Sequence, residues 1–332
     1  MKKMVFIVFL LVIAISSCNM LTNVPPNTPG SPNPINNATW VNLAITLTWT
    51  CSDQNGDPLT YDVYFGSNPN PTTKIGNGQS SASKFVGGLE YYTDYYWKVV
   101  AKDGRGGETS SPVWHFRTKP YVIIDDDFES RPVGVPNLPW ANYVHSGNAY
   151  GVIWDFFGGT NRTLEFSDPD VPGYAYLLTP SGWPGLTKGL LQFDIYTEDG
   201  NGWTGVRTSN WNPYVGIGFI NSELILFIDD YTTGRTKIMN VNTFTWYTIK
   251  IIFDYTAHEV DIYVNSVFKG KYDVNPSVLN LGSLQIIVFS DHECTFADYD
   301  NIKLYSYTPG WTPSPEFVEP VSLEVLSTLS SK

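Results

Sequence analysis

The sequence predicts an all-β chain folded as two sandwiches in series, a smaller one over about 28–119 and a larger antiparallel one over about 122–307. Three observations carry this prediction. Aromatics make up 15% of the 332 residues and charged residues only 16%, and the text is rich in Thr, Asn, Gly, Tyr and Trp, a mix that favours strands and turns over helices. Apolar residues recur with period two in segment after segment, as in half-buried strands. Clusters of Gly, Pro, Asn and Asp separate those segments at short intervals. The length allows two or three domains at roughly 100–200 residues each.

In the first domain, "LAITLTWTC" sets Leu43, Ile45, Leu47, Trp49 and Cys51 on one face and Thr46, Thr48 and Thr50 on the other. The turn cluster "SDQNGDP" follows, and "LTYDVYFG" places Tyr61, Val63 and Phe65 together. "YYWKVVAKDGRGG" points Tyr95, Trp97, Val99 and Ala101 inward and Lys98 and Lys102 outward, and "SPVWHFRT" supplies a last strand through Trp114 and Phe116. Trp49 on an early strand, Leu89 followed by Thr93-Asp94-Tyr95, and "WKVVAKDGRGG" resemble a fibronectin type III domain. The Leu-x-x-x-Thr-x-Tyr spacing is similar to that family's tyrosine corner, in which a Tyr hydroxyl closes the loop between two strands. The resemblance implies an immunoglobulin-like sandwich acting as a spacer or interaction platform. Asp53, Asn55 and Asp57 alternate as at the start of a calcium loop. Pro58 stands where an EF-hand needs Gly, so the stretch reads as a solvated turn.

In the second domain, Leu191, Phe193 and Ile195 share a face, as do Val215, Ile217 and Phe219. The clearest unit is "WYTIKIIFDYTAHEVDIYVNSVFKGKYD": Tyr247, Ile249, Ile251 and Phe253 on one strand, a turn over 254–259, then Val260, Ile262 and Val264, and a tight turn at Asn265-Ser266. With "DDDFES" at the start and "DYDNIKLY" at the end, this text resembles the laminin-G-like and concanavalin-like jelly rolls. The resemblance implies two large antiparallel sheets with glycans bound on the concave face or connecting loops. Ser266 departs from the family's usual Gly.

A sugar site needs aromatic plates beside Asn, Asp, Gln or backbone groups. "PSGWPGLTKG" and "TEDGNGWTGVRTSNWNPYVG" place Trp183, Trp203, Trp211 and Tyr214 among such residues, in text read as loops, and these four are the carbohydrate-binding candidates. Trp49, Trp97, Trp114 and Trp246 lie in strand text and read as structural. Glu129 at the start of the domain and Asp298 and Asp300 at its end could share a structural calcium if first and last strands are neighbours, and the plainer reading is a solvated acidic turn. No other cofactor is expected.

Ahead of both domains, Lys2 and Lys3 precede an apolar run from Met4 to Ile15. It is shorter than the ~18–20 residues of a membrane-spanning helix and fits the ~7–15 of an export signal. Ile15-Ser16-Ser17-Cys18 resembles the lipobox of bacterial lipoproteins, whose cysteine is diacylated and becomes the N-terminus. The resemblance implies a signal peptide over 1–17, lipid on Cys18 and attachment to the cell envelope, at the outer membrane or cell surface. Ser17 stands where Gly or Ala is usual, and a plain secretory cut near it is the alternative. Residues 18–27 open Pro-rich text read as an extended tether, and 308–332 read as a flexible tail. Cys51 and Cys294, in different domains, read as free thiols.

The net charge of −12, or −14 once Lys2 and Lys3 leave with the signal, opposes nucleic acid and anionic lipid. That leaves glycans or envelope and extracellular proteins as partners, with the membrane met through the lipid alone. Laminarinase-type glycosidases carry Glu-x-Asp-x-x-Glu on one strand, and no such string occurs here. "LEFSDPD" offers Glu165, Asp168 and Asp170, but Pro169 argues against a central strand. No Gly-x-Ser-x-Gly or phosphate loop occurs either. The sequence therefore reads as a non-catalytic binding protein, with a structural or protein-adhesion module as the alternative and a carboxylate pair from separate strands left open.

Overall fold

A computed structural model describes residues 22–138, 141–146, 150–156, 159–168, 173–178, 186–197, 203–208, 214–229, 234–276, 284–290 and 295–310. These residues are all-β, and none of them forms an α-helix. The chain divides into two compact units, with the boundary between Lys119 and Pro120. The apolar opening run, Cys18, Cys294 and 311–332 lie outside the described residues.

The first unit carries β1 (Gly30–Asn33), β2 (Ala38–Val41), β3 (Ile45–Thr50), β4 (Thr60–Gly66), β5 (Lys74–Gln79), β6 (Ser83–Val86), β7 (Asp94–Lys102), β8 (Glu108–Ser110) and β9 (Trp114–Thr118). One sheet runs β1-β3-β6 and the other β2-β9-β7-β4-β5, with β8 on β7. The period-two residues form the core between them: Leu47 and Trp49 from the first sheet pack with Tyr61, Val63, Trp97, Val99 and Phe116 from the second. Trp49 meets Tyr61 edge to face at 5.3 Å, and Trp97 meets Trp114 at 4.5 Å, so these tryptophans are structural. The Tyr95 hydroxyl accepts the Glu90 N–H at 3.1 Å and closes the loop ahead of β7.

Two features depart from the sequence reading. The segment 22–27, read as tether, belongs to the unit: the Val24 N–H donates to Asn55 Oδ1 at 2.8 Å, Asn23 Nδ2 to Asp103 Oδ2 at 2.7 Å, and the Asn27 N–H to the Ser52 carbonyl at 2.9 Å. The Asp53-Asn55-Asp57 turn is what this strap is tied to. On β4, Asp62 breaks the alternation and is buried. Lys74 Nζ lies 2.7 Å and Lys102 Nζ 3.0 Å from its Oδ2, and the Gly78 N–H donates to Oδ1 at 2.8 Å. Burial alone would raise this carboxyl, but the three donors outweigh it and hold it at about 2.

The second unit carries β10 (Tyr121–Asp126), β11 (Asn142–Ser146), β12 (Tyr150–Asp155), β13 (Arg162–Asp168), β14 (Gly173–Leu178), β15 (Lys188–Thr197), β16 (Trp203–Thr208), β17 (Tyr214–Ile220), β18 (Glu223–Asp229), β19 (Arg235–Asn240), β20 (Thr245–Asp254), β21 (Glu259–Val264), β22 (Val267–Asp273), β23 (Leu284–Ser290) and β24 (Thr295–Ser306). One sheet runs β12-β13-β24-β15-β20-β21-β22, with β10 on β24, and the other runs β11-β14-β23-β16-β17-β18-β19. Phe193, Ile195, Ile249, Phe253, Ile262 and Tyr299 of the first sheet share a core with Ile217, Phe219, Leu224 and Leu226 of the second. The first and last strands are neighbours, with Asp125 opposite Lys303 and Asp126 opposite Ile302.

The Asn265-Ser266 turn forms as predicted, with both residues at positive φ (49° and 65°), the conformation that matches strand twist in a two-residue hairpin. Asn221-Ser222 repeats it between β17 and β18. The sequence reading of "LEFSDPD" is corrected: β13 is an interior strand between β12 and β24. Asp168 is its last residue, and Pro169 lies outside the described residues. Gly189 on β15 has a packing reason, since an added Cβ would run into the Tyr305 carbonyl oxygen and the Phe253 ring.

Candidate functional site

The outward face of the sheet that contains β15 follows from the same alternation that builds the core. Leu191, Phe193 and Ile195 point into the core, so Gln192, Asp194 and Tyr196 stand on the opposite face. By the same rule β20 presents Trp246, Thr248 and Lys250 outward, and β21 presents Tyr263. On β24, Ala297 and Tyr299 point inward, and then Ile302 and Leu304 do, so the parity changes at Asn301. Asn301 has φ 51° and sits at a bulge in the β15–β24 ladder. The extra residue puts Asp300 and Asn301 on the same outward side, as bulges do when they re-aim a side chain.

Cross-strand register then lays out three rows. Asp298, Tyr196 and Trp246 lie side by side across β24, β15 and β20. Asp300, Asp194 and Thr248 form the next row, and Lys303, Gln192, Lys250 and Tyr263 the third, which reaches β21. Phe156, just past β12, completes an aromatic cluster on the first row. Its ring lies 5.2 Å from Tyr196 and 5.2 Å from Trp246, and Tyr196 and Trp246 are 5.4 Å apart. Trp154 adds a ring 6.0 Å from Phe156. Tyr196 is buried beneath this cluster, while Trp154, Phe156 and Trp246 are half-buried.

The carboxylates beside the rings are held by short polar contacts. Asp194 accepts the Thr248 hydroxyl on Oδ1 at 2.6 Å and Asn301 Nδ2 on Oδ2 at 2.9 Å. Asp298 Oδ1 accepts Trp154 Nε1 and the Thr163 hydroxyl, both at 2.8 Å. Asp300 accepts the Asn301 N–H at 2.7 Å and Asn161 Nδ2 at 3.3 Å and is only 7% exposed. Burial, with repulsion from Asp194 and Glu129 added, raises its carboxyl to about 6 against the opposing hydrogen bonds. Rings with apolar faces, next to amides, hydroxyls and carboxylates in fixed positions, can stack on a ligand's C–H surface and hydrogen-bond its hydroxyls.

Two of the four carbohydrate-binding residues proposed from sequence are described, and both lie on the other sheet of the second unit. Trp183 and Trp211 lie outside the described residues. Trp203 and Tyr214 are placed on strands, not loops: Trp203 opens β16, opposite Phe289 on β23, and Tyr214 opens β17, opposite Asp229 on β18. Because β16 and β17 are antiparallel, these two positions stand at opposite ends of their ladder. Trp246, read as structural, is on the outward face; its place next to inward-pointing Tyr247 was the signal available. Of the three calcium candidates, Glu129 Oε1 accepts the Arg162 N–H at 3.0 Å, and Asp298 and Asp300 are engaged as described. Among the described residues no three His, Cys, Asp or Glu side chains gather as a metal-ligand set.

No family model matches the chain, and no curated protein does. Among solved structures, a sialidase matches at 11% identity and a TM-score of 0.43 over 64% of this chain and 21% of its own, so the chain spans about a fifth of that protein. A carbohydrate-binding module of the β-sandwich superfamily matches at 14% identity and 0.31, over 85% and 98%. Domain 4 of AbnA, an extracellular arabinanase from Geobacillus stearothermophilus, in complex with arabinotriose, matches at 13% and 0.39, over 60% and 97%. At these identities and scores the fold rests on the ladders themselves, and the outward face has to be judged on its own chemistry.

Proposed function

We propose that the second unit binds glycans, without catalysis, on the outward face of the sheet that contains β15. The observation that carries this reading is the Phe156–Tyr196–Trp246 ring cluster set against Asp194, Thr248, Asn301 and Asp298. The rings of Trp154, Phe156 and Trp246 are half-buried and stand beside hydrogen-bonded carboxylates and amides, which suits a ligand with apolar faces and hydroxyl edges.

Asp194 and Asp300 are directly opposed across β15 and β24, a carboxylate pair from separate strands. Catalysis is still disfavoured. Asp194 is held by Thr248 and Asn301 and keeps acceptor capacity for a ligand hydroxyl, while Asp300 is 7% exposed and held by Asn161 and the Asn301 N–H, which suits it to positioning more than to attack on a sugar carbon. The apolar opening run and Cys18 support export and lipid anchoring to the bacterial envelope, and the two facing sheets and Tyr95 contact of the first unit support a fibronectin type III spacer.

A glycan array probed with the full chain tests the binding. Trp246→Ala and Asp194→Asn should each abolish or sharply weaken whatever signal the native protein gives. An array with no signal would overturn the glycan reading, and reducing-sugar release from a polysaccharide panel would overturn the non-catalytic one. Mass spectrometry of the mature N-terminus should find diacylglycerol on Cys18.

A further inference from the structure

The same outward face carries a second aromatic group that the cluster around Trp246 does not include. Tyr263 stands outward on β21 between inward-pointing Ile262 and Val264. Phe268 on β22 is directly opposite it, their ring centroids 5.2 Å apart. Lys250 Nζ lies 5.1 Å above the Tyr263 ring, so the pair is tied back to the third row. Phe268 is 53% exposed on the last strand of the sheet, where its ring contributes little to any core. An exposed ring tilted at 55° against a second ring is an aromatic platform, as the tilted Trp246 and Tyr196 pair is.

The separation of the two platforms follows from register. Tyr263 is opposite Lys250, and Trp246 lies four residues earlier on the same strand as Lys250. Four residues along a strand and one strand across give roughly 14 Å between the two ring-bearing positions. One sugar ring cannot touch both. Between them lie groups that donate and accept hydrogen bonds: Thr248 and Lys250 on β20, with Asp194 opposite Thr248, and Asn265 beside Thr248, whose N–H it accepts at 2.9 Å. The face therefore alternates ring, polar row and ring along one direction. That pattern matches a linear polymer of rings with apolar faces and hydroxyl edges.

Resting on the glycan reading above, we infer that this face takes an extended saccharide chain, which bridges the Tyr196–Trp246–Phe156 platform and the Tyr263–Phe268 platform. Short saccharides sit on the first platform alone. A chain long enough to reach the second gains its contact as an intramolecular event, so affinity climbs with length and then levels. Losing one exposed stacking ring should cost roughly three- to tenfold in affinity, and only for chains that reach it.

The test uses the full chain, titrated calorimetrically with cello-, xylo- and arabino-oligosaccharides from monosaccharide to hexasaccharide. The native protein should show affinity rising with length in at least one series. Phe268→Ala should flatten that rise and leave the shortest binders unchanged, while Trp246→Ala should weaken every length. The Phe268 ring is exposed, so an unchanged melting curve is the folding control for that variant. Affinity that levels at a disaccharide, or a rise with length that survives Phe268→Ala, would overturn the bridging inference and leave the glycan reading intact. Failure of every saccharide to bind, or binding of a peptide library instead, would overturn the glycan reading and this inference with it.

Discussion

Asp300→Asn is the most informative single change on the outward face. The native carboxyl sits at about 6 because burial strips its water, a cost that the donors Asn161 and Asn301 only partly offset, and Asp194 and Glu129 add a smaller repulsion. The rise from 3.8 is roughly two units, so at ~1.36 kcal/mol per unit the ionised group costs the folded second unit up to about 3 kcal/mol. Below about pH 4 the group is protonated in folded and unfolded chains alike and costs nothing. Between about pH 4 and 6 the unfolded chain gives up its proton while the folded one keeps it, so stability falls as pH rises; above that window the full cost stays constant. Asparagine keeps the shape and one acceptor oxygen but cannot ionise, and it leaves one donor less well satisfied, at about 1 kcal/mol. The variant should therefore be about 1–2 kcal/mol more stable than the native chain at about pH 7.5 and slightly less stable at about pH 4. Urea unfolding of the second unit across this range measures the difference, and a carbon NMR titration of the Asp300 carboxyl locates the midpoint directly. A carboxyl that titrates near 4, or a stability difference that does not grow between pH 4 and 6, would refute the reasoning.

Three further substitutions probe the scaffold. Asp62→Asn should destabilise the first unit by about 2 kcal/mol at neutral pH. That contribution belongs to a carboxyl held at about 2, so in the native chain it should fade as pH falls from about 4 through 2; denaturation at neutral and acid pH checks both halves. Gly189→Ala should cost about 1–3 kcal/mol in chemical unfolding, because β20 and β24 leave no room for a Cβ. Ser266→Gly should raise the calorimetric melting temperature, since a left-handed residue loses its Cβ strain at a gain of roughly 0.5–1 kcal/mol; a lower melting temperature would mean that the turn is held some other way.

The inward half of each ladder was legible because burial imposes a period of two that any reader of the sequence can count. Leu47, Trp49, Trp97, Phe193, Ile249 and Ile262 are in the two cores for that reason. The outward half carries no such constraint, and its residues become a site only through which strands are neighbours. Trp246 was one position from inward-pointing Tyr247, so its orientation could be counted, but nothing in the nearby text links it to Phe156 or Tyr196. Those rings meet because β15 pairs with β20 and because β13, β24 and β15 bring the end of β12 over the same face. Asn301 reaches Asp194 across 107 residues of chain, and it does so only because the bulge turns it outward. The opposed carboxylates Asp194 and Asp300 come from two strands far apart in the chain, so no local motif could announce them. Loop composition pointed to Trp203 and Tyr214, and register separates them to opposite ends of a ladder. Aromatic residues near one another in sequence, such as Trp203 and Tyr214, need not share one end of an antiparallel ladder. Each hairpin reverses the chain, so residues a few positions either side of the turn meet, while those a strand length apart on either side of a strand's end do not.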